Sequence, residues 1–264
     1  MEVSSISYST LLYQLSFISK IEDRDYYKVI STPTNPKYHW GNFLLFKDSP
    51  TTDDHHKWQS LFKKEFASIA VEHMAFAWDS PIGEKGEIDG FLDDGFYFEY
   101  DDILTSTQVK LPPRINKEIS IRPLHSDSDW RESAELNLLC AEHDQKLRDR
   151  PSVVKLMDDF RYLAKKCKGA WMGAFIDDRL IGDMGIYEGG RSIGLISMVK
   201  THPAFRERYV CSTLLYQTAM KAFEDFGYKK LVLVADTTGI AGKIYKKVGF
   251  AVEENGASLI RYNI

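Results

Sequence analysis

Residues 199–215, VKTHPAFRERYVCSTLL, read as a strand that stops at Pro203, a tight basic turn, and an amphipathic helix. A helix that starts directly after such a turn leaves its first backbone N–H groups without partners. Together with the helix dipole they make an anion site. Arg206 and Arg208 add two positive charges at its mouth. Downstream, residues 241–250, AGKIYKKVGF, place Ala241 and Tyr245 one turn apart on a helical face. Gly249 then reverses the chain into a strand.

Outward from this core, the second half of the chain alternates strands and helices. Ile119 to Pro123 reads as a short strand. Ser126 caps a helix carrying Trp130, Ala134, Asn137, Leu138 and Ala141. Pro151 fits the first turn of the next helix, whose apolar side runs Val153, Leu156, Met157, Phe160, Leu163, Ala164 and Cys167. Gly169 is expected to end it. Strands at Trp171–Ile176 and Leu180–Tyr187 are joined by Asp177-Asp178, a hairpin turn. A strand ends at Thr201, and a long helix from Val210 stops at Gly227. Leu231–Ala235 is a continuous apolar run, expected to be a central strand buried on both faces. A short helix over 239–248 and two last strands, from Phe250 and from Leu259, complete the series.

The first half is patterned less strongly. Asn42–Phe46 and His73–Trp78 read as strands, with Trp58, Leu61, Phe62 and Phe66 on one helix face between them. Asp79…Gly95-Phe96 resembles Asp236…Gly249-Phe250, which suggests a degenerate internal repeat. LPPRINKE, residues 111–118, carries two prolines and reads as a linker. The expected division is therefore a smaller domain over 1–115 and a larger one over 116–264.

Composition narrows the function. The 264 residues are 44% hydrophobic and 27% charged, which is ordinary for a globular α/β protein. No apolar run is long enough to span a bilayer, and the N-terminus has no basic region of the kind a signal peptide needs. Residues 1–115 hold 11 Lys/Arg against 18 Asp/Glu, and the remainder 23 against 20, so the net charge of -4 divides as −7 and +3. An acidic chain without a basic stripe argues against nucleic acid as a partner. Three cysteines, Cys140, Cys167 and Cys211, without CxxC spacing argue against a disulfide framework and against a metal site. A reduced, cytoplasmic setting is expected.

Residues 118–264 resemble the GCN5-related N-acetyltransferases (GNAT). The family's acetyl-CoA loop follows V-x-P-x-x-(R/Q)-x-x-G-x-(G/A), and Thr201, Pro203, Arg206, Tyr209 and Cys211 occupy its marked positions. The later A-x-x-x-Y-x-x-x-G-F is matched by Ala241, Tyr245, Gly249 and Phe250. Two loop positions depart from glycine. Cys211 is small, but Tyr209 must point its ring away from a bound pyrophosphate. The resemblance implies a mixed-sheet acetyltransferase fold, with a degenerate, acetyltransferase-like N-terminal domain.

It also implies acetyl-CoA as cosubstrate. Backbone groups of Val199, Lys200 and Thr201 would take the pantetheine arm in a gap between strands. Amides of Arg206, Glu207, Arg208, Tyr209, Val210, Cys211 and Ser212 would hold the pyrophosphate. Tyr245 would be the acid that protonates the departing thiolate. Among carboxylates, Glu188, at the end of a strand before Gly189-Gly190, is the first choice for the base, and Asp236 the second. The expected reaction is N-acetylation of a primary amine of a small molecule or peptide by direct attack in a ternary complex. The alternative is an inactive CoA-binding regulator with the same fold. Expected partners are the amine acceptor and a second copy of the chain in a homodimer, with neither nucleic acid nor membrane.

Overall fold

The start of the first helix, α1 (Ile6–Leu15), is held by two carboxylates. Asp79 accepts hydrogen bonds from the Ser4 and Ser5 amides at 2.6 and 2.9 Å, and Glu254 accepts from the Ile6 amide at 2.9 Å. Both satisfy donors that a helix N-terminus leaves open and oppose its positive end. This helix has no counterpart in the sequence reading, and neither do the two strands after it, β1 (Lys20–Asp23) and β2 (Tyr27–Ser31). The computed structural model describes residues 1–144 and 149–262.

The chain divides into two compact units, Met1–Ile103 with Glu253–Ile264, and Leu104–Val252. Compared with the sequence break at 115/116, residues 104–115 group with the second unit and the last stretch of chain returns to the first.

In the first unit, β3 (Phe43–Phe46), α2 (Asp54–Glu65), β4 (His73–Trp78), α3 (Asp89–Asp93) and β5 (Tyr97–Ser106) follow in order. The expected helix and strands of this half match these elements, except that Asn42 precedes β3 and Phe66 follows α2 as its C-cap. β3 and β4 pair in parallel from Leu44↔Phe76 to Phe46↔Trp78, and the Asp79 amide continues the pairing by donating to the Phe46 carbonyl at 2.9 Å. On one face α1 lays Tyr8, Leu12 and Leu15 against Ile30, Phe43, Leu45 and Ala75. On the other, α2 and α3 bury Trp58, Phe62 and Phe91 against Phe46, Phe76 and Trp78, with Phe46 and Trp58 stacked at 3.7 Å. The sheet is completed by β11 (Ala251–Tyr262), whose residues Ser258–Tyr262 run antiparallel to Ala77–His73. One long strand thus replaces the two expected at the C-terminus.

The proposed repeat is visible in the backbone. β4 leads through α3 to Gly95 at φ +82, and then into β5. In the second unit β10 (Lys230–Asp236) leads through α7 (Ala241–Lys247) to Gly249 at φ +103, and then into β11. Each glycine takes a left-handed turn that other residues resist.

The second unit opens with β6 (Ser120–Pro123) and α4 (Asp127–His143). Ser126 forms the expected cap: its hydroxyl accepts from the Asp129 amide at 3.0 Å, while the Asp129 carboxylate accepts from the Ser126 amide. α5 (Arg150–Lys166) begins at Asp149, which accepts from the Ser152 amide, with Pro151 in the first turn. It ends before Gly169, which instead starts β7 (Gly169–Ile176). There a Cβ would lie 2.2 Å from the Ile186 carbonyl oxygen, so close strand approach accounts for that glycine. Asp177 and Asp178, both at positive φ, turn β7 into β8 (Arg179–Glu188). β9 (Ile193–Thr201) and α6 (Val210–Glu224) follow. The strand order is β6-β7-β8-β9-β10, with the end of β5 beside β10. α6 and α7 cover one face with Leu214, Leu215, Ala219, Tyr245 and Val248. On the other face Trp130 of α4 and Phe160 of α5 pack on Trp171, with ring centroids 6.1 and 4.6 Å away.

Candidate active site

The parallel pair β9/β10 is registered only from Ile193↔Lys230 to Leu195↔Val232. Beyond Leu195 the strands separate, so Ile196–Thr201 and Leu233–Asp236 face an opening. Two local features accompany the separation. The β8/β9 register shifts between Asp183↔Lys200 and Gly185↔Ser197, and Met198, in that interval, lies at φ +56. This is a β-bulge, which bends the bulged strand and increases its twist. Val234, in the middle of a strand expected to be buried on both faces, is 46% exposed. The burial pattern of β10 fails there because β9 has left its side. Met198 carried no sequence signal, since its side chain is unremarkable and only its backbone is unusual.

The loop after β9 makes one short turn, Pro203–Phe205, which the His202 ring caps by accepting from the Ala204 amide at 3.2 Å. Glu207 and Tyr209 then both adopt positive φ, +63 and +60, and Tyr209 is the residue preceding α6. No side chain caps this helix. Among the described residues, the amides of Val210, Cys211 and Ser212 therefore form its open, positive end. Tyr209 is 44% exposed, with its hydroxyl accepting from Arg114 at 3.1 Å.

The Arg206 guanidinium is engaged elsewhere. It grips the Asp144 carboxylate through both terminal nitrogens at 2.8 and 3.1 Å, and its Nε donates to the Thr201 carbonyl at 3.4 Å. Arg206 pulls Asp144 down to about 2, well below the usual carboxylate range. The Cys140 thiol also points to the Thr201 carbonyl, at 3.4 Å. The end of α4 thus braces the loop, and the Arg206 amide is engaged as well, donating to the Pro203 carbonyl at 3.2 Å.

Tyr245 is buried on α7, close to the Cys211 thiol. Burial first, and the thiol second, push its pKa far above the ordinary phenol value, so it keeps its proton. Burial pushes Cys211 up to about 12 and Cys167 to about 11, and it raises Cys140 as well. None of the three is a thiolate nucleophile.

Glu188 is not brought to the opening. It pairs with Gly194, at the closed end of β9/β10. From Gly194 to Met198 is about 13 Å at the usual strand rise. Its carboxylate lies near the Cys167 thiol instead. Asp236 is at the open end, but its Oδ1 accepts from the Thr238 amide and hydroxyl at 2.7 and 2.6 Å.

One acidic residue escaped the sequence reading. Asp183 is 1% exposed and accepts at Oδ2 from the Ser133 hydroxyl and, at 3.0 Å, from the Trp171 indole N–H. Its Oδ1 is buried without a partner. Desolvation raises its pKa to about 6. An aspartate inside the otherwise apolar RLIGDMGIYE was the available signal.

The equivalent place in the first unit is closed. β3 and β4 stay paired to their ends. The approach to α2 is Asp53-Asp54, and the Asp54 carboxylate already accepts from the Thr51 amide and hydroxyl at 2.9 and 2.8 Å. No such opening is present there, and although no side chain caps α2 either, its start carries the acidic charge of Asp53 and Asp54, whereas the first turn of α6 has no acidic residue.

Residues 127–250 match the model of the acetyltransferase (GNAT) family. Among solved structures, a functionally unknown conserved protein from Staphylococcus epidermidis has a TM-score of 0.70 at 14% identity, covering 93% of this chain and 94% of its own. A GCN5-related N-acetyltransferase from Kribbella flavida scores 0.65 at 11% identity, covering 98% and 96%. A tandem GNAT protein from the clavulanic acid biosynthesis pathway scores 0.57 at 11% identity, covering 97% and 88%. These likenesses extend over both units and establish the fold. No curated protein matches the chain.

Proposed function

We propose, from the premise that residues 127–250 are an acetyltransferase domain of the GNAT family, that this domain moves an acetyl group from acetyl-CoA to a primary amine of a small molecule or peptide. One observation carries the reading: β9 and β10 part where the loop presents its uncapped helix end, with a protonated, buried phenol close to the first turn of that helix. The residues present suit the cosubstrate. An apolar wall at Val234 suits a pantetheine arm, and uncapped amides suit a pyrophosphate.

Bound there, acetyl-CoA supplies the acyl group as a thioester. Backbone groups of Val199, Lys200 and Thr201 on the side that β10 has left are assigned to the arm. Amides of Glu207, Arg208, Tyr209, Val210, Cys211 and Ser212 are assigned to the pyrophosphate, and the Arg206 amide, which donates to the Pro203 carbonyl, is left out. Backbone N–H groups near the bulge donate to the oxygen where negative charge develops. Tyr245 holds the proton that the departing sulfur needs, and burial keeps it available at neutral pH. The amine must arrive neutral, which costs about 4–5 kcal/mol at pH 7 for a primary amine that ordinarily titrates near 10.4. Water at the open end of the strands is assigned that proton, the second proton the nitrogen loses as the amide forms is assigned to restoring the Tyr245 phenol, and Glu188 is left out. The elevated thiols support direct attack without an acyl-enzyme. A reduced, cytoplasmic setting is proposed from the same unpaired cysteines.

The test is acetyl-CoA-dependent thiol release across a panel of amines, with Tyr245→Phe alongside. Turnover should appear with at least one amine, and the variant should lose about 100-fold or more in kcat while still binding acetyl-CoA. An unchanged kcat removes Tyr245 from the chemistry. Binding without turnover on any amine favours the inactive regulator, for which Tyr209 in a glycine position is the motive.

A further inference from the structure

The segment between β5 and β6 reads in sequence as a linker, yet it is bonded both to the end of α7 and to the loop before α6. At one end the Ser106 hydroxyl donates to the Gly249 carbonyl at 3.1 Å, and the Lys110 amide donates to the Val248 carbonyl at 2.8 Å. These bonds hold the end of the helix that carries Tyr245. At the other end the Asn116 amide donates to Thr213 Oγ1 at 2.9 Å, and Asn116 Nδ2 donates to the Arg208 carbonyl at 2.9 Å. Arg114 Nη1 donates to Tyr209 Oη at 3.1 Å, with the guanidinium carbon 5.8 Å from the ring centroid. Thr213 Oγ1 in turn donates to the Tyr209 carbonyl at 2.7 Å.

The bonds made by Arg114, Asn116 and Thr213 surround a residue in a disfavoured conformation, Tyr209. Tyr209 lies at φ 60 and ψ 11, which glycine adopts freely and an L side chain does not. Such a conformation persists only where its surroundings over-determine it. Its relaxation would rotate the amides that open α6. The ring offers a handle glycine lacks: a phenol oxygen for a hydrogen bond and a face for a guanidinium.

We propose that Arg114 and Asn116 are positioning residues, which lock Tyr209 in the left-handed conformation and thereby keep the loop amides in their ligand-binding arrangement. This rests on the reading of that loop as the acetyl-CoA site. The segment is then a part of the active site supplied from outside the strand–turn–helix motif.

The test is a double-mutant cycle on the full chain with Arg114→Ala, Tyr209→Gly and the two combined, followed by acetyl-CoA calorimetry. Amide hydrogen exchange over 207–213 without ligand is the second readout. Arg114→Ala alone should raise the Kd about five- to tenfold, the factor expected from releasing one such conformation. It should also speed exchange in 209–213. In the Tyr209→Gly background, the same Arg114→Ala step should change both by less than about twofold, because glycine needs no lock. Asn116→Ala should act in the same direction as Arg114→Ala. Equal losses in both backgrounds would overturn the proposal and make Arg114 a direct ligand contact. No change in affinity or exchange would overturn it as well. Should the unmodified chain bind no acetyl-CoA, the site reading fails, and the exchange cycle still decides whether Arg114 orders the loop.

Discussion

Asp183 shows how a single buried charge shapes the behaviour of the second unit. Its carboxyl is raised to about 6 by desolvation, which the Ser133 and Trp171 hydrogen bonds only partly offset. The folded state then holds a proton that the unfolded state releases near pH 4. Between those values the native form binds more protons, so stability from this group is full below about pH 4 and is lost as pH rises through about 6. Paired carboxylates such as Asp144 and Glu65, held low by Arg206 and Arg24, act in the opposite sense. The measurement is therefore a difference: Asp183→Asn against the unmodified chain, by denaturant unfolding at several pH values. The variant should gain about 2–3 kcal/mol relative to the parent between pH 4 and pH 7. A flat difference would mean that Oδ1 has a partner. Glu188→Gln tests the neighbouring question. With its carboxylate at the closed end of β9, kcat/KM should stay within about twofold, and a loss of 100-fold or more would restore it as the base.

At the scale of elements, the strands and helices around the motif were legible because their periodicity is strong and their ends are chemically marked. Ser126, Pro151, Asp177-Asp178 and Gly249 each do in the structure what their residue type predicts. Features set by backbone pairing were not legible. The bulge at Met198, the exposed Val234 and the placement of Glu188 depend on where two strands stop pairing, which no single residue announces. α1 was missed because its hydroxyl- and amide-rich sequence masks its apolar side, and its cap is supplied by Asp79 and Glu254 from far along the chain. The linker reading of 111–118 followed its prolines and could not reveal bonds to Tyr209 and Thr213. Gly249 gives a prediction at this scale. A Cβ there would lie 3.1 Å from the Gln108 carbonyl oxygen and the Lys110 nitrogen, both backbone, at φ +103. Gly249→Ala should destabilise the chain by about 1–3 kcal/mol in denaturant unfolding. No loss of stability would mean that the segment beside α7 yields freely.

Across the whole molecule, two units of one fold have diverged at the same place. The second parts its central strands and starts its helix with no acidic residue in the first turn. The first keeps its strands paired, stacks Phe46 on Trp58 beneath them and sets Asp53-Asp54 at the helix start. Anion binding is thereby expected of one unit alone, and acetyl-CoA calorimetry on the intact chain, with amide exchange to locate the site, tests this most directly. One micromolar site per chain is expected, with exchange slowed over 206–212 and unchanged over 47–54. Two sites, protection over 47–54, or no binding at millimolar ligand would contradict it.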